Sequence, residues 1–426
     1  MVLNVSKSAP LRGTLRVPSD KSLTHRAYIL AAIAQSPSMV IQPLRGDDCN
    51  STLQIIQQLG ARIDPTPGDE HVSITLYPSP FVSPAAPLDC GNSGTTMRLL
   101  AGVLAARPGL TATLVGDASL SKRPMKRIVE PLVLMGADIK GDTAPLSING
   151  RRLRGIEYTT PVASAQIKSC LLLAGLFAEG TTWVSEPSPS RDHTERMLAA
   201  LGVRLDERDG AIGIEGGQTF DGFALYVPAD ISSAAFFMCA AAMVPGSQVL
   251  FHEVGTNPTR TGVLEVLADA GATVEVVPQP AQMGEPVSTL RVTYQEDLKA
   301  FSIEGDLVPR LIDEIPVLAV LATQCVGTTT IRGAQELRVK ESDRIETVAT
   351  NLRKMGAQVE ALEDGLVVQG PTPLTGAEID AEGDHRIGMA FAVAGLVADG
   401  DTTIINADSI ATSYPTFESD LKSLYT

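Results

Sequence analysis

Aromatic residues are scarce, at 4% of 426 residues with a single tryptophan. Stacking platforms for single-stranded nucleic acid are built from such rings, so none is expected, and the core must be aliphatic and rich in small residues. Surplus positive charge is also missing. Lys and Arg number 34 against 49 Asp and Glu, a net charge of −15. Neutralising phosphates along a nucleic acid needs an excess of cations, so a nucleic-acid partner is excluded. Long apolar runs are absent too. Those near Ala234–Val244 and Ile387–Ala398 fall short of the roughly 18 residues that a membrane span needs. The N-terminal residues MVLNVSKSAP hold no basic segment followed by an apolar stretch, so no signal peptide is expected. The five cysteines (Cys49, Cys90, Cys170, Cys239 and Cys325) are scattered and contain no Cys-x-x-Cys. Buried thiols in a reducing, cytoplasmic compartment are expected rather than disulfides.

Other absences narrow the chemistry. The five histidines (His25, His71, His193, His252 and His385) form no His-Glu-x-x-His or His-x-His pattern, so no metal site is expected. No two glycines stand two apart, which removes the dinucleotide fingerprint, and no phosphate-binding loop of the Gly-x-x-x-x-Gly-Lys type occurs. Gly91-Asn-Ser-Gly-Thr95 lacks the final glycine of a nucleophile elbow. What remains is a chain of 44% hydrophobic and 19% charged residues, which excludes wholesale disorder. It is too long for one ordinary core, so two domains are expected.

The chain repeats itself. Five segments end a helix on glycine and resume as a strand: LQIIQQLGARID, IVEPLVLMGADIK, RMLAALGVRLD, VLEVLADAGATVE and VATNLRKMGAQVE. Their glycines, Gly60, Gly136, Gly202, Gly271 and Gly356, fit the left-handed position that closes a helix. A second element recurs between them, a short strand, a polar cluster and a small-residue helix. It occurs in LRVPSDKSLTHRAYILAAIA, LDCGNSGTTMRLLAGVLAA, TTPVASAQIKSCLLLAGLFA, LYVPADISSAAFFMCAAAMV, LVPRLIDEIPVLAVLAT and DAEGDHRIGMAFAVAGLVA. Helices of this composition are buried on most sides. The terminal FESDLKSLY is expected to partner the N-terminal strand. The reading is an α/β protein of two domains, each of three repeated βαβαββ-type units around buried helices. One domain is expected at residues 20–228 and the other at 1–19 plus 229–426, with a cleft between them that closes on substrate.

Each polar cluster opens a helix, where backbone N–H groups and the helix dipole favour anions. Cations stand there: Lys21, Arg26, Arg98, Lys168 and Arg386. Ser119–Arg127 is the densest basic segment, and Arg338-Val-Lys-Glu-Ser-Asp-Arg344 alternates cations with carboxylates. Glu341, beside Lys340 and Arg344, is a candidate acid or base. Asp313 and Glu314 open an apolar helix, where a carboxylate usually serves as a cap.

Seven segments in order then resemble the EPSP synthase family nearly end to end. They are Asp20-Lys-Ser-Leu-Thr-His-Arg26, Gly91-Asn-Ser-Gly-Thr-Thr-Met-Arg98, Ser119-Leu-Ser-Lys-Arg-Pro-Met125, Ser164-Ala-Gln166, Asp313-Glu-Ile-Pro316, Leu337-Arg-Val-Lys-Glu-Ser-Asp-Arg344 and Gly383-Asp-His-Arg386. The resemblance implies the family's inside-out α/β barrels and transfer of the enolpyruvyl group of phosphoenolpyruvate to the 5-hydroxyl of shikimate 3-phosphate. It implies no metal or other cofactor, and a monomer. By motif, Lys21, Ser22, Arg26, Ser164, Gln166, Asp313 and Lys340 would bind shikimate 3-phosphate. Lys21, Asn92, Gly94, Arg123, Gln166, Arg344 and Arg386 would bind phosphoenolpyruvate. Asp313 would accept the hydroxyl proton and Glu341 would protonate the methylene carbon, with Lys21 as a third proton carrier.

The chain departs from the commoner family pattern in places. Ser19 precedes Asp20 where glycine is frequent, Ala165 replaces a serine, and Ala411-Thr-Ser-Tyr-Pro415 lacks a lysine that many members carry. Arg191-Asp-His-Thr-Glu195, Ser164-Ala-Gln-Ile-Lys168 and Asn257-Pro-Thr-Arg260 resemble the family's second sequence class, often tolerant of glyphosate, whereas Gly94 sits where a larger residue typically blocks that inhibitor. Two related families are the alternatives among enzymes. UDP-N-acetylglucosamine 1-carboxyvinyltransferases usually carry a reactive cysteine before Arg-Pro, and Gly116–Lys122 has none. RNA 3′-phosphate cyclases expect a catalytic histidine and a nucleotide partner, against the net charge of −15. A non-catalytic anion-binding protein is the alternative outside enzymes.

Overall fold

A computed structural model describes residues 2–66 and 72–425. His71 lies outside them. Two compact units divide the chain. One comprises Met1–Pro18, Pro228–Pro280 and Pro286–Thr426, and the other Ser19–Val227 with Ala281–Glu285. Each has its own hydrophobic core.

Six helices form the middle of these cores: Lys21–Ile33, Gly94–Ala105, Ala165–Gly175, Ile231–Met243, Ile315–Ala322 and His385–Gly395. None has an exposed residue, and every residue of the last three is buried. Ala, Leu and Gly predominate because three such helices must pack on one another within each unit. Where Gly94–Ala105 meets Ala165–Gly175, a Cβ on Gly102 would lie 2.2 Å from the Cys170 carbonyl oxygen. Only glycine permits that approach.

Small sheets cover the helices, one of three strands and five of four among the described residues. In four repeats the strands that flank a buried helix pair in parallel across it. These pairs are Leu88–Asp89 with Thr111–Val115, Glu157–Thr159 with Thr181–Ser185, Ser302–Ile303 with Gly327–Ile331, and Glu378–Asp380 with Thr402–Ile405. Parallel neighbours need such a crossover connection. In the other two repeats the partners are exchanged. Arg12–Leu15 precedes the Lys21–Ile33 helix but pairs with Gln248–Gly255, and Ala224–Tyr226 precedes Ile231–Met243 but pairs with Ser38–Ile41. This exchange places residues before Ser19 in one unit and closes the other at Val227.

After each parallel pair comes a second, amphipathic helix, then an antiparallel hairpin. The glycines that end these helices, Gly60, Gly136, Gly202, Gly271 and Gly356, all have positive φ, between +83° and +112°. The sixth repeat is shortened. Its hairpin is replaced by Leu3–Val5, antiparallel to Thr402–Ile405. The helix Phe417–Ser423 ends beside the N-terminal segment, with Arg12 N–H donating to the Leu424 carbonyl. The two chain ends thus complete one unit.

Gly102→Ala should destabilise the fold by about 1–3 kcal/mol and so lower the denaturation midpoint, because backbone rather than a pliable side chain blocks the new methyl. Urea unfolding followed by circular dichroism would read this, and an unchanged midpoint would refute so close an approach of the two helices.

Candidate active site

The buried helices bring their polar residues to their N-terminal ends. Five begin at a side-chain cap. Asp20 accepts from Leu23 N–H, Ser93 from Thr96, Ser164 from Ile167, Asp230 from Ser232, and Asp384 from Arg386. Such caps satisfy one of the orphan donors of a helix start. Ile315–Ala322 differs. Glu314 holds the capping position but makes no cap bond, and its buried carboxylate accepts from Ser232 Oγ. Asp313 faces cations. The expectation of a capping carboxylate there is therefore corrected: both side chains are committed to charged or polar partners distant in sequence.

In the unit built on Ser19–Val227, Lys21 opens its helix and pairs with Asp48 at 3.1 Å. Arg26 is buried. Its Nε donates to Thr194 Oγ1 at 2.7 Å, its Nη2 to Ser169 Oγ at 2.8 Å, and its Nη1 to the Ser22 carbonyl at 3.1 Å. Asn92 links two groups, accepting from Arg123 Nη2 at 2.5 Å and donating to Asp117 at 2.7 Å. Gln166 accepts from Arg98 Nη1 and donates to Thr95 Oγ1 at 2.9 Å. Gly94 lies against these arginines: a Cβ there would stand 2.9 Å from Arg98 Nη1 and 3.6 Å from Arg123 Nη1. Ser164 caps its helix weakly, at 3.5 Å, and that bond uses an acceptor lone pair, so the hydroxyl proton is not spent on the cap.

Lys168, read from sequence as one more anion-binding cation, has another assignment. Its ammonium is buried between Glu186 at 2.7 Å and Glu195 at 2.8 Å. Two carboxylates already neutralise it.

The second cluster lies in the other unit and centres on Arg344, whose side chain is 1% exposed. Its Nε donates to Asp384 at 2.8 Å, Nη2 to Glu341 at 2.7 Å, and Nη1 to Asp313 at 3.3 Å. Lys340 and Arg386 reach the same Asp313 carboxylate at 3.5 and 3.9 Å, and Arg386 Nη1 donates to the Asp313 carbonyl at 3.2 Å. Burial opposes the charge on Arg344, but Asp384, Glu341 and Asp313 outweigh it and push its pKa up. Burial likewise opposes ionisation of Asp384, and Arg344 outweighs it, so that carboxyl sits below its ordinary range. Asp384 also accepts from Ser342 Oγ and from Arg386 N–H.

The predicted residues thus fall into two groups. Lys21, Ser22, Arg26, Asn92, Gly94, Arg123, Ser164 and Gln166 belong to one unit, and Asp313, Lys340, Glu341, Arg344 and Arg386 to the other. Sequence reasoning did not single out Asp48 or Asp384, the carboxylates that hold Lys21 and Arg344. The available signal was weak: Asp384 directly precedes a small-residue helix, as a simple cap would. The segment Ala411–Pro415 offers no cation, and Tyr414 there is buried edge-on to Phe237 and Phe417. Among the described residues, no cluster of three His, Cys, Asp or Glu could hold a metal ion.

His25 shares a helix with Lys21 and Arg26. Its Nδ1 bonds Thr52 Oγ1 at 2.7 Å, and that hydroxyl bonds Thr96 Oγ1 at 2.6 Å. Burial lowers its pKa to about 3. As pH falls below the ordinary histidine value, the unfolded chain takes up a proton that the native site refuses. Stability should therefore be lost between about pH 6.5 and 3, at up to about 1.4 kcal/mol per pH unit. His25→Asn should flatten that slope. Melting temperatures of both proteins across this range test it, and parallel curves would refute it.

The family model for EPSP synthase (3-phosphoshikimate 1-carboxyvinyltransferase) matches residues 5–421. A 3-phosphoshikimate 1-carboxyvinyltransferase of Shouchella clausii is 50% identical over 427 residues, covering 99% of this chain and 98% of that protein. The enzyme of that name from Bacillus subtilis is 47% identical over 423 residues, covering 98% of each. A solved EPSP synthase structure from Acinetobacter baumannii superposes with a TM-score of 0.88 at 43% identity, over 100% of this chain and 98% of that one.

Proposed function

The chain belongs to the EPSP synthase (3-phosphoshikimate 1-carboxyvinyltransferase) family, and on that premise we propose how its own residues carry the reaction. The enzyme transfers the enolpyruvyl group of phosphoenolpyruvate to the 5-hydroxyl of shikimate 3-phosphate. It releases phosphate through a tetrahedral intermediate, in aromatic amino acid biosynthesis. An enol carbon becomes electrophilic only when its neighbour is protonated, so the first step needs an acid and the attacking alcohol needs a base. Collapse of the intermediate needs cations at the leaving phosphate.

The observation that carries the assignment is the sharing of Arg344 by Asp313 and Glu341. An anionic substrate that takes the Arg344 donors competes with Glu341 and Asp313 for them, which brings both carboxyl groups against the reacting atoms. Glu341 then protonates the methylene carbon of phosphoenolpyruvate, and Asp313 accepts the 5-hydroxyl proton. Arg344 and Arg386 hold phosphoenolpyruvate together with Arg123, Gln166, Lys21 and the Gly94 turn shaped by Asn92. Lys21, Ser22, Arg26, Ser164, Gln166, Asp313 and Lys340 hold shikimate 3-phosphate. Buried Arg26, fixed by Thr194 and Ser169, suits a phosphate because a guanidinium presents a rigid fork of donors.

Three finer readings go with this. Membership of the family implies a monomer. All five cysteines are buried thiols outside any disulfide, which favours a reducing, cytoplasmic setting. The second sequence class is favoured by Lys168, Glu195 and Arg260, motif residues that are all engaged in buried ion pairs.

Phosphate release should require shikimate 3-phosphate and should not occur with UDP-N-acetylglucosamine as acceptor. Asp313→Asn and Glu341→Gln should each lower kcat by roughly 10²–10⁴-fold with the fold intact. Losses under tenfold would remove the acid and base roles. Gly94→Ala should act differently, raising KM for phosphoenolpyruvate because the new methyl displaces Arg98 and crowds Arg123. An unchanged KM for phosphoenolpyruvate would remove the Gly94 turn from that site.

A further inference from the structure

Lys168, Glu186 and Glu195 form an ion triad whose side chains are 6%, 7% and 10% exposed. Burying three charges is costly, and replacing such a group by apolar side chains is often neutral or stabilising. A stability role alone therefore explains it poorly. Its connections lead elsewhere. Glu186 Oε1 accepts from the backbone N–H of Ser164 at 2.9 Å. Glu186 Oε2 accepts from Ser190 Oγ at 2.8 Å and takes Lys168 at 2.7 Å. Lys168 directly precedes Ser169, and Glu195 directly follows Thr194. Ser169 and Thr194 are the two hydroxyls that hold Arg26, and Thr194 Oγ1 donates to Ser169 Oγ at 2.7 Å. The triad thus joins the start of the Ala165–Gly175 helix, the segment around Glu186–Ser190, and the first turn of His193–Ala200.

Each contact also has a direction. The Ser164 N–H precedes the first helical residue, and a carboxylate beneath it sets where the Ser164 side chain leaves the backbone. Burial pushes the Glu195 pKa up. Burial also works against the charge on Lys168, but Glu195 and Glu186 more than offset it.

We propose that Glu186 is a positioning residue for the phosphorylated acceptor: with Lys168 and Glu195 it fixes Ser164 directly and Arg26 through Ser169 and Thr194. The inference rests on the reading that Ser164 and Arg26 bind shikimate 3-phosphate. Its consequence is selective, because none of the three touches Arg123, Asn92 or the Asp313 and Arg344 cluster through any contact named above. Disturbing Glu186 should loosen the acceptor and leave the donor and the chemistry alone.

The test is calorimetric titration of shikimate 3-phosphate into wild type, Glu186→Gln, Ser190→Ala and Arg26→Ala, with steady-state kinetics and melting temperatures on each. Glu186→Gln should weaken binding about tenfold, the scale of a charge-assisted hydrogen bond. It should leave kcat at saturation within about threefold and KM for phosphoenolpyruvate within about twofold. Ser190→Ala leaves all three charges of the triad in place, so it keeps the test open should Glu186→Gln fail to fold, and it should weaken binding about threefold in the same selective way. Binding unchanged in both variants would overturn the proposal. So would parallel losses in kcat and both KM values, which mark a merely structural role. Weakening in Arg26→Ala with none at Glu186 or Ser190 removes this inference alone, whereas unchanged binding in Arg26→Ala removes the acceptor reading on which it rests.

Discussion

Six helices without an exposed residue set the terms for the rest of this protein. A helix covered on all sides can keep polar groups only at its ends, and its N-terminal end already presents unpaired N–H groups and partial positive charge. Polar and charged residues such as Lys21, Ser93, Ser164 and Asp384 therefore gather at these ends, while Arg123 and Arg344 stand before or at the start of amphipathic helices. The sheets, the amphipathic outer helices and the closing glycines serve to cover the remaining length. Cations placed at such ends are partly desolvated and near other charges, so each must be satisfied locally. That requirement explains why the site cations nearly all touch a carboxylate or amide: Lys21 has Asp48, Arg98 has Gln166, Arg123 has Asn92, and Arg344 has three carboxylates.

Much of this was legible in the sequence because the repeat imposes the same local chemistry many times. Helix, glycine and strand recur with the glycine at positive φ, and small-residue composition marks the buried helices. What could not be read was pairing over long sequence distances. The exchange of Arg12–Leu15 and Ala224–Tyr226 between sheets depends on which unit each chain crossing enters. The fate of Lys168 depended on Glu186 and Glu195, which arrive on separate segments. Glu314 looked like a cap because cap propensity is local, and its actual partner, Ser232, belongs to a different repeat. Local rules name the residue types at a helix start, while tertiary pairing decides which of them stay open to a ligand.

The two clusters differ in charge balance, and the difference bears on their proposed roles. Around Arg344 the named groups cancel: Arg344, Lys340 and Arg386 face Asp313, Glu341 and Asp384. A balanced, buried cluster cannot accept an anion without freeing or protonating one of its carboxylates, because an uncompensated buried charge is too costly. Asp384 is the most deeply placed and is held ionised, so Glu341 and Asp313 are the carboxylates left to respond. In the other unit the named partners of three cations are neutral: Arg26 is held by the Thr194 and Ser169 hydroxyls and the Ser22 carbonyl, Arg98 by the Gln166 amide, and Arg123 by the Asn92 amide. A phosphate can enter that cluster without displacing a proton. Permanent phosphate recognition thus suits the cluster whose cations have neutral partners, and acid–base chemistry suits the one whose cations face carboxylates. A single cluster that had to do both would either hold its phosphate too loosely or keep its acid too firmly ionised.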